Sequence, residues 1–128
     1  MNGRRSVDVP GYTHANPVPA ASRIGSLLVS GALTGRDAET GEMPRSLDTQ
    51  CINAFSHLRA LMDAAGGSTD DIIKVTVLLA EYRDRGALNR EWLAMFPDAA
   101  SRPARQVLHA SLDGDAVIHL DVMAVLPD

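Results

Sequence analysis

The sequence is poor in the residues that staple a chain, cross a membrane or grip nucleic acid. Its one cysteine, Cys51, excludes an intramolecular disulfide framework and fits a reducing compartment. No apolar run approaches the roughly 20 residues that cross a bilayer. Met1 to Pro10 carries Arg4 and Arg5 with no apolar stretch behind them, which argues against a signal peptide; the expected location is the cytoplasm. Lys74 is the only lysine, and the net charge is −4. Affinity for phosphate backbones comes mostly from a basic face, so neither a nucleic-acid nor a membrane partner is expected. Arginine supplies nearly all the positive charge, which suits planar, bidentate recognition of carboxylates, although GC-rich coding gives the same bias.

Chemical motifs are equally scarce. There is no C-x-x-C, H-x-x-x-H, G-x-S-x-G, P-loop or dinucleotide fingerprint. His14, His57, His109 and His119 lie apart in sequence. His57 is expected at the rim of a helix stripe, and His109 and His119 could face each other across a hairpin; two histidines without a third ligand make a poor site. Neither a metal nor a cofactor is therefore expected. Cys51 reads as a buried structural thiol, and Ser30 has no evident base beside it.

What is present reads as one domain, 1–128, with residues 1–15 irregular. Pro17 and Pro19 lead into an extended edge segment, Ala20 to Ile24. Gly25-Ser26 is a turn, and Leu27-Leu28-Val29 a short buried strand ending at Gly31, where a close backbone approach or a positive φ is expected. A loop runs from Thr34 to Pro44. Ser46 is a good N-cap with Asp48 in the first turn. Leu47, Cys51, Ala54, Phe55, Leu58, Leu61, Met62 and Ala65 then recur at helical spacing until Gly66-Gly67. Ile72 to Ala80 is a strand with Ile73, Val75, Val77 and Leu79 on one face, and its other face is mostly apolar too. Asp84 is placed to cap a second helix, from about Gly86 to Phe96, with Leu88, Trp92, Met95 and Phe96 inward and Pro97 as the stop. The order is β-β-α-β-α-β-β, an α+β layer with two helices on one face of a mixed sheet. Strand faces that stay apolar away from the helices predict oligomerisation.

The last third carries the charges of interest. Arg105 and Asp121 stand in two strand-like runs on either side of Asp113-Gly114-Asp115, a hairpin signal. Charges of each sign in a buried hairpin are costly unless paired or kept for a ligand. A two-residue turn puts Arg105 and Asp121 on opposite faces. A three-residue or bulged turn makes them diagonal neighbours on one face, about 7–8 Å apart at the backbone, where a simple salt bridge is the plainer alternative to a site.

Several ordered pieces resemble the Rid family of reactive intermediate deaminases, also called YjgF-type or L-PSP-type proteins, across about residues 16–126. They are Arg23-Ile24-Gly25 with Leu27 to Gly31, Thr40-Gly41-Glu42-Met43-Pro44, Ala64-Ala65-Gly66 with Asp71 to Val77, Leu88-Asn89, and Met95-Phe96-Pro97. The most specific are Arg102-Pro103-Ala104-Arg105 and Asp121 to Val125. The resemblance implies a chorismate-mutase-like α+β fold, a homotrimer with clefts between subunits, and cofactor-free hydrolysis of 2-enamine or 2-imino acids to 2-oxo acids and ammonium. By the same resemblance Arg105 grips the substrate carboxylate, Gly31 and Asn89 line the cleft, and Asp121 stands for a glutamate linked to water activation. Val18 replaces a frequent tyrosine and Val107 a small residue or cysteine; with Asp121 they mark a divergent subgroup. The leading expectation is an imine or enamine deaminase with Trp92 and Asn89 shaping the cleft. The alternatives are a non-catalytic trimer that binds small carboxylates such as 2-oxo acids, and, last, an endoribonuclease.

Overall fold

The computed structural model describes residues 3–12, 16–81 and 85–127. Its order is β1 (Arg5–Val7), β2 (Ala21–Ile24), β3 (Leu27–Ser30), β4 (Leu33–Thr34), α1 (Leu47–Ala64), a 3-10 turn at Thr69–Asp71, β5 (Ile72–Leu79), α2 (Gly86–Met95), β6 (Ala104–His109) and β7 (Ile118–Val125). From β2 onward this is the expected β-β-α-β-α-β-β order with one short strand, β4, inserted. The strands form one mixed sheet in the order β1-β2-β3-β7-β5-β6, with β4 also paired to β7.

Local signals explain α1. The Ser46 side chain accepts from the Thr49 N–H, and Asp48 lies in the first turn. At the other end Gly66 takes a φ of 81°, and the N–H of Gly67 returns to the Met62 carbonyl at 2.9 Å. The apolar stripe between these ends packs Cys51, Ala54, Phe55, Leu58, Leu61 and Met62 onto the sheet. His57 is buried with that stripe rather than placed at its rim. Its ring stacks on Tyr12 at 3.8 Å, which pins the N-terminal segment to α1.

Four further expectations are corrected. Arg5–Val7 is a strand, so the first residues are not wholly irregular; β1 pairs antiparallel with β2, which therefore is not an edge. Gly31 has neither a positive φ nor a tight approach, since a Cβ there would meet the Ala20 carbonyl at an ordinary 3.7 Å. A close backbone approach occurs instead at Gly35, where a Cβ would fall 2.5 Å from the Gln50 carbonyl oxygen on α1. A bulge between Ile72 and Lys74 turns Ile73 outward, leaving Ile72 on the helix side with Val75, Val77 and Leu79. Asp84, expected to cap α2, lies outside the described residues, as does His14; α2 starts after Arg85 without a side-chain cap.

The largest departure is the hairpin. β6 pairs parallel with β5, while β7 pairs antiparallel with the opposite edge of β5. Val75 lies between Arg105 and Val122, and Thr76 between Gln106 and Asp121. Asp113 and Gly114 do turn, with Gly114 at a φ of 58° and the Ala116 N–H on the Asp113 carbonyl, but within a longer loop that carries the chain past β5. The physical reason lies in β7 itself. Ile118, Leu120, Val122 and Ala124 are all essentially fully buried. A slot between β5 on one side and β3 and β4 on the other satisfies the hydrogen bonds of both edges, which a terminal hairpin strand cannot do.

Gln50 clamps that long loop to α1. Fully buried, it donates from Nε2 to the carbonyls of Pro44 (2.6 Å) and Asp115 (2.9 Å), and its Oε1 accepts from the Val117 N–H at 2.9 Å. Replacing it by an apolar isostere strands these backbone groups, at about 1–3 kcal/mol for a buried unpaired one. Gln50→Leu is therefore expected to lower unfolding stability by about 2–4 kcal/mol, read as a fall in urea midpoint without a change in slope.

Candidate functional site

Arg105 is the second residue of β6, the strand at one edge of the sheet. Its register partner Val75 faces the helices, so its side chain rises on the same side toward α2. There Nη1 donates to Asn89 Oδ1 at 2.9 Å, and the guanidinium carbon lies 5.0 Å from the centre of the Trp92 ring. Trp92 is both core and platform: it is buried, and it meets Phe96 edge to face at 4.8 Å. A cation over an indole face held by an amide oxygen is oriented without being neutralised. Among the described residues the one ion pair is Asp48–Arg90, so no described carboxylate neutralises Arg105. Burial, and to a smaller extent the charge of Arg85, push the Arg105 guanidinium below its ordinary value, in keeping with a partly desolvated charge. Such a group favours an anion, and its planar fork favours a carboxylate.

Asp121 sits elsewhere. Its partner on β5 is Thr76, which faces away from the helices, and β5 separates β7 from β6. Within one chain Arg105 and Asp121 are thus on opposite faces of the sheet and not on adjacent strands. The shared face expected from a bulged turn does not form. Nor do His109 and His119 face each other, since Leu79 partners the first and Leu78 the second. Desolvation raises the Asp121 carboxyl above its ordinary value, with Lys74 and a hydrogen bond from Thr76 partly opposing it. His119, on the same face, is held below its ordinary value by desolvation against the pull of Asp113, which favours a neutral imidazole. Among the described residues no cluster of three metal-ligating side chains converges.

The remaining expected residues divide between these places. Val107, two residues after Arg105, packs against the core on the helix side. Gly31 follows β3, with its N–H on the Ala20 carbonyl at 2.9 Å, and Val18 is exposed ahead of β2. Two strands, β7 and β5, intervene between β3 and β6. At about 4.8 Å per strand, Gly31 and Val18 belong to a different part of the chain from Arg105 and Asn89. Ser30 is structural here: its hydroxyl accepts from the Val122 N–H at 2.9 Å and donates to the Gly31 carbonyl at 2.8 Å. A cavity of about 580 Å³ lined by Arg45, Ser111, Leu112 and the 114–117 stretch lies beyond the far end of β6 and does not include Arg105.

The face around Asp121 is itself unusual. Leu27 and Val125 are direct partners, as are Val29 and Met123, and all four are exposed together with Leu108 and Ile73. Exposed apolar surface of this continuity marks an interaction site.

Comparison with known proteins supplies the context. The family described as Endoribonuclease L-PSP matches residues 12–126. The chain belongs to the L-PSP family. Over 104 residues it is 28% identical to the 2-iminobutanoate/2-iminopropanoate deaminase of Escherichia coli strain K12, covering 80% of this chain and 81% of that one. A RutC family protein of Pyrococcus horikoshii is 30% identical over 110 residues, covering 84% and 86%. Among solved structures, the Rid family protein YyfA of Yersinia pestis matches with a TM-score of 0.90 at 17% identity, covering 97% of this chain and 100% of that one. RidA from an Antarctic Psychrobacter gives 0.88 at 22% identity, covering 95% and 99%. These structures establish the L-PSP fold for the chain, and no helix among the described residues is long and apolar enough to cross a membrane.

One feature of this L-PSP chain escapes sequence patterning. Gln50 looks like an ordinary polar residue beside an apolar stripe, and its clamp depends on a loop 65 positions away.

The raised Asp121 pKa gives a signed prediction. The folded chain keeps this proton to higher pH than the unfolded one, so stability falls as pH rises from the ordinary value of 3.8 through the folded pKa. Above that window the ionised group subtracts a constant amount. Asp121→Asn is expected to be more stable than the wild type near pH 7, in urea titrations, with the difference closing as pH falls through the window.

Proposed function

We propose that the protein hydrolyses small 2-imino or 2-enamino acids to 2-oxo acids and ammonium, without a cofactor, at sites completed by a second copy of the chain. The carrying observation is Arg105, oriented by Asn89 and Trp92 and unneutralised by any described carboxylate. The chemistry balances with water alone. Water adds to the imine carbon, the C=N bond breaks, and the nitrogen leaves as ammonia that takes up a proton. Arg105 holds the substrate carboxylate and fixes the reacting carbon in place, which converts a bimolecular attack into an oriented one.

Asp121 enters this reading from a neighbouring subunit. A raised pKa suits a general base, but the sheet keeps the chain's own Asp121 from a carboxylate on its own Arg105. The apolar face carrying Asp121 is the surface we assign to self-association, as a homotrimer. Such an arrangement also lets Gly31 and Val18 of one copy approach Arg105, Asn89 and Val107 of the next. A soluble location in the cytoplasm is part of the same reading.

A second reading has one observation in its favour. The separation of Arg105 from Asp121 within a chain also fits a trimer that binds 2-oxo acids without turning anything over. The family's ribonuclease label has less support here, because the net charge is −4 and the only lysine, Lys74, stands on the apolar face.

The test generates imino acids in situ with an amino-acid oxidase and follows 2-oxo acid and ammonium. Arg105→Ala is expected to lower kcat/KM by roughly 10- to 100-fold, as loss of a charged hydrogen-bonding partner predicts. Co-expressed Arg105→Ala and Asp121→Asn chains should recover activity that neither has alone, because mixed assemblies contain sites with both native residues. Saturable 2-oxo acid binding with no deamination of any imino acid selects the binding module instead.

A further inference from the structure

We propose that Asn89 is a specificity-determining residue of the Arg105 site, reading the group beside the ligand's carboxylate and rejecting 2-amino acids. This rests on the deaminase reading and deepens it, by stating which close analogue of the substrate the site turns away.

A guanidinium has donors and no acceptor, so the amide atom that meets Arg105 Nη1 at 2.9 Å has to be the Asn89 oxygen. That bond fixes which way the amide faces and leaves Nδ2, with its two N–H groups, as the outward end. Among the described residues no acceptor takes Nδ2, and Asn89 is exposed. Nδ2 and Oδ1 share one carbon, so covalent geometry alone stands this donor beside the guanidinium. Trp92, from the same helix, carries the guanidinium at 5.0 Å from its ring centre. The charged fork and the amide donor are thus held together by α2.

A carboxylate on the remaining Arg105 N–H groups brings the substituent on C2, attached to the next carbon, to the edge of the fork. There it meets the Asn89 donor. The oxygen of a 2-oxo acid accepts from Nδ2, and so does the lone pair of a neutral imine nitrogen. The ammonium of a 2-amino acid has only donors and carries the same sign of charge as Arg105. It needs an acceptor, but Asn89 Oδ1 is engaged by Arg105, and Val107, packed on the same side of β6, offers none. A 2-imino acid differs from its parent 2-amino acid only at this atom, so the discrimination has to be made here. A site built to hydrogen-bond one group rejects the analogue that cannot make the bond.

The experiment measures Kd by calorimetry for 2-oxobutanoate and 2-aminobutyrate, which differ only at C2, in the wild type, Asn89→Ala and Asn89→Asp. The ratio of the two affinities cancels any loss of carboxylate grip common to both ligands. The wild type is expected to favour the oxo acid by at least tenfold. Asn89→Ala should cut that ratio several-fold. Asn89→Asp, which puts an acceptor where the donor was, should bring it to unity or below. A merely structural Asn89 moves both affinities together and leaves the ratio unchanged; that result, or a wild type without preference, overturns the assignment. Hydrolysis of the imine made in situ from 2-aminobutyrate is followed on the same proteins and on Arg105→Ala. Arg105-dependent hydrolysis with an unchanged ratio fails the assignment and keeps the deaminase reading. A ratio that falls as expected without any hydrolysis fails the deaminase reading and keeps the assignment.

Discussion

The structure depends on β7 being central. Its inward residues, Ile118, Leu120, Val122 and Ala124, are buried under the helices, and each of its edges is hydrogen-bonded to other strands. Once this strand occupies the middle, β6 can only lie beyond β5, at the edge. That placement gives Arg105 its character. An arginine on a central strand would be desolvated on all sides; at the edge it rests on Trp92 and Asn89 with its charge still open to a ligand. The same placement puts Asp121 on the opposite face. A single topological fact thus leaves the Arg105 guanidinium partly open and keeps the chain's own Asp121 away from it.

The two faces of the sheet follow different rules as a result. The helix face is a filled core, closed by the Gln50 clamp at one end and by the Gly66-Gly67 helix stop at the other. The other face combines apolar pairs such as Val29–Met123 with a polar group made by Lys74, Thr76 and Asp121. An isolated chain pays for this arrangement in exposed apolar area and in a desolvated carboxylate. In the self-association proposed above, the apolar pairs would supply affinity and the polar group register.

The parts of the fold that were legible in sequence are those with local causes. α1 announced itself through Ser46, a stripe at helical spacing and a glycine stop, and each of these acts within a few residues. The β-β-α-β-α-β-β order followed from similar local signals. Strand pairing did not, because Asp113-Gly114 is a genuine turn whose local preference says nothing about which strands lie beside it. The turn signal supports a hairpin only if no better partner exists for the second strand, and β7 has two. Ile73 was misplaced for a related reason: strict alternation breaks at a bulge, which the sequence does not mark.

The site was legible in a different way. Arg105 stands out as a charge at the start of an apolar strand, and its likeness to a family motif gave it a role. Its physical setting is tertiary: Asn89 and Trp92 come from α2, and their convergence depends on how the β5–α2–β6 crossover packs. An arginine held by an amide oxygen and an indole face is oriented without being neutralised, and the proposed grip on a substrate carboxylate rests on that setting.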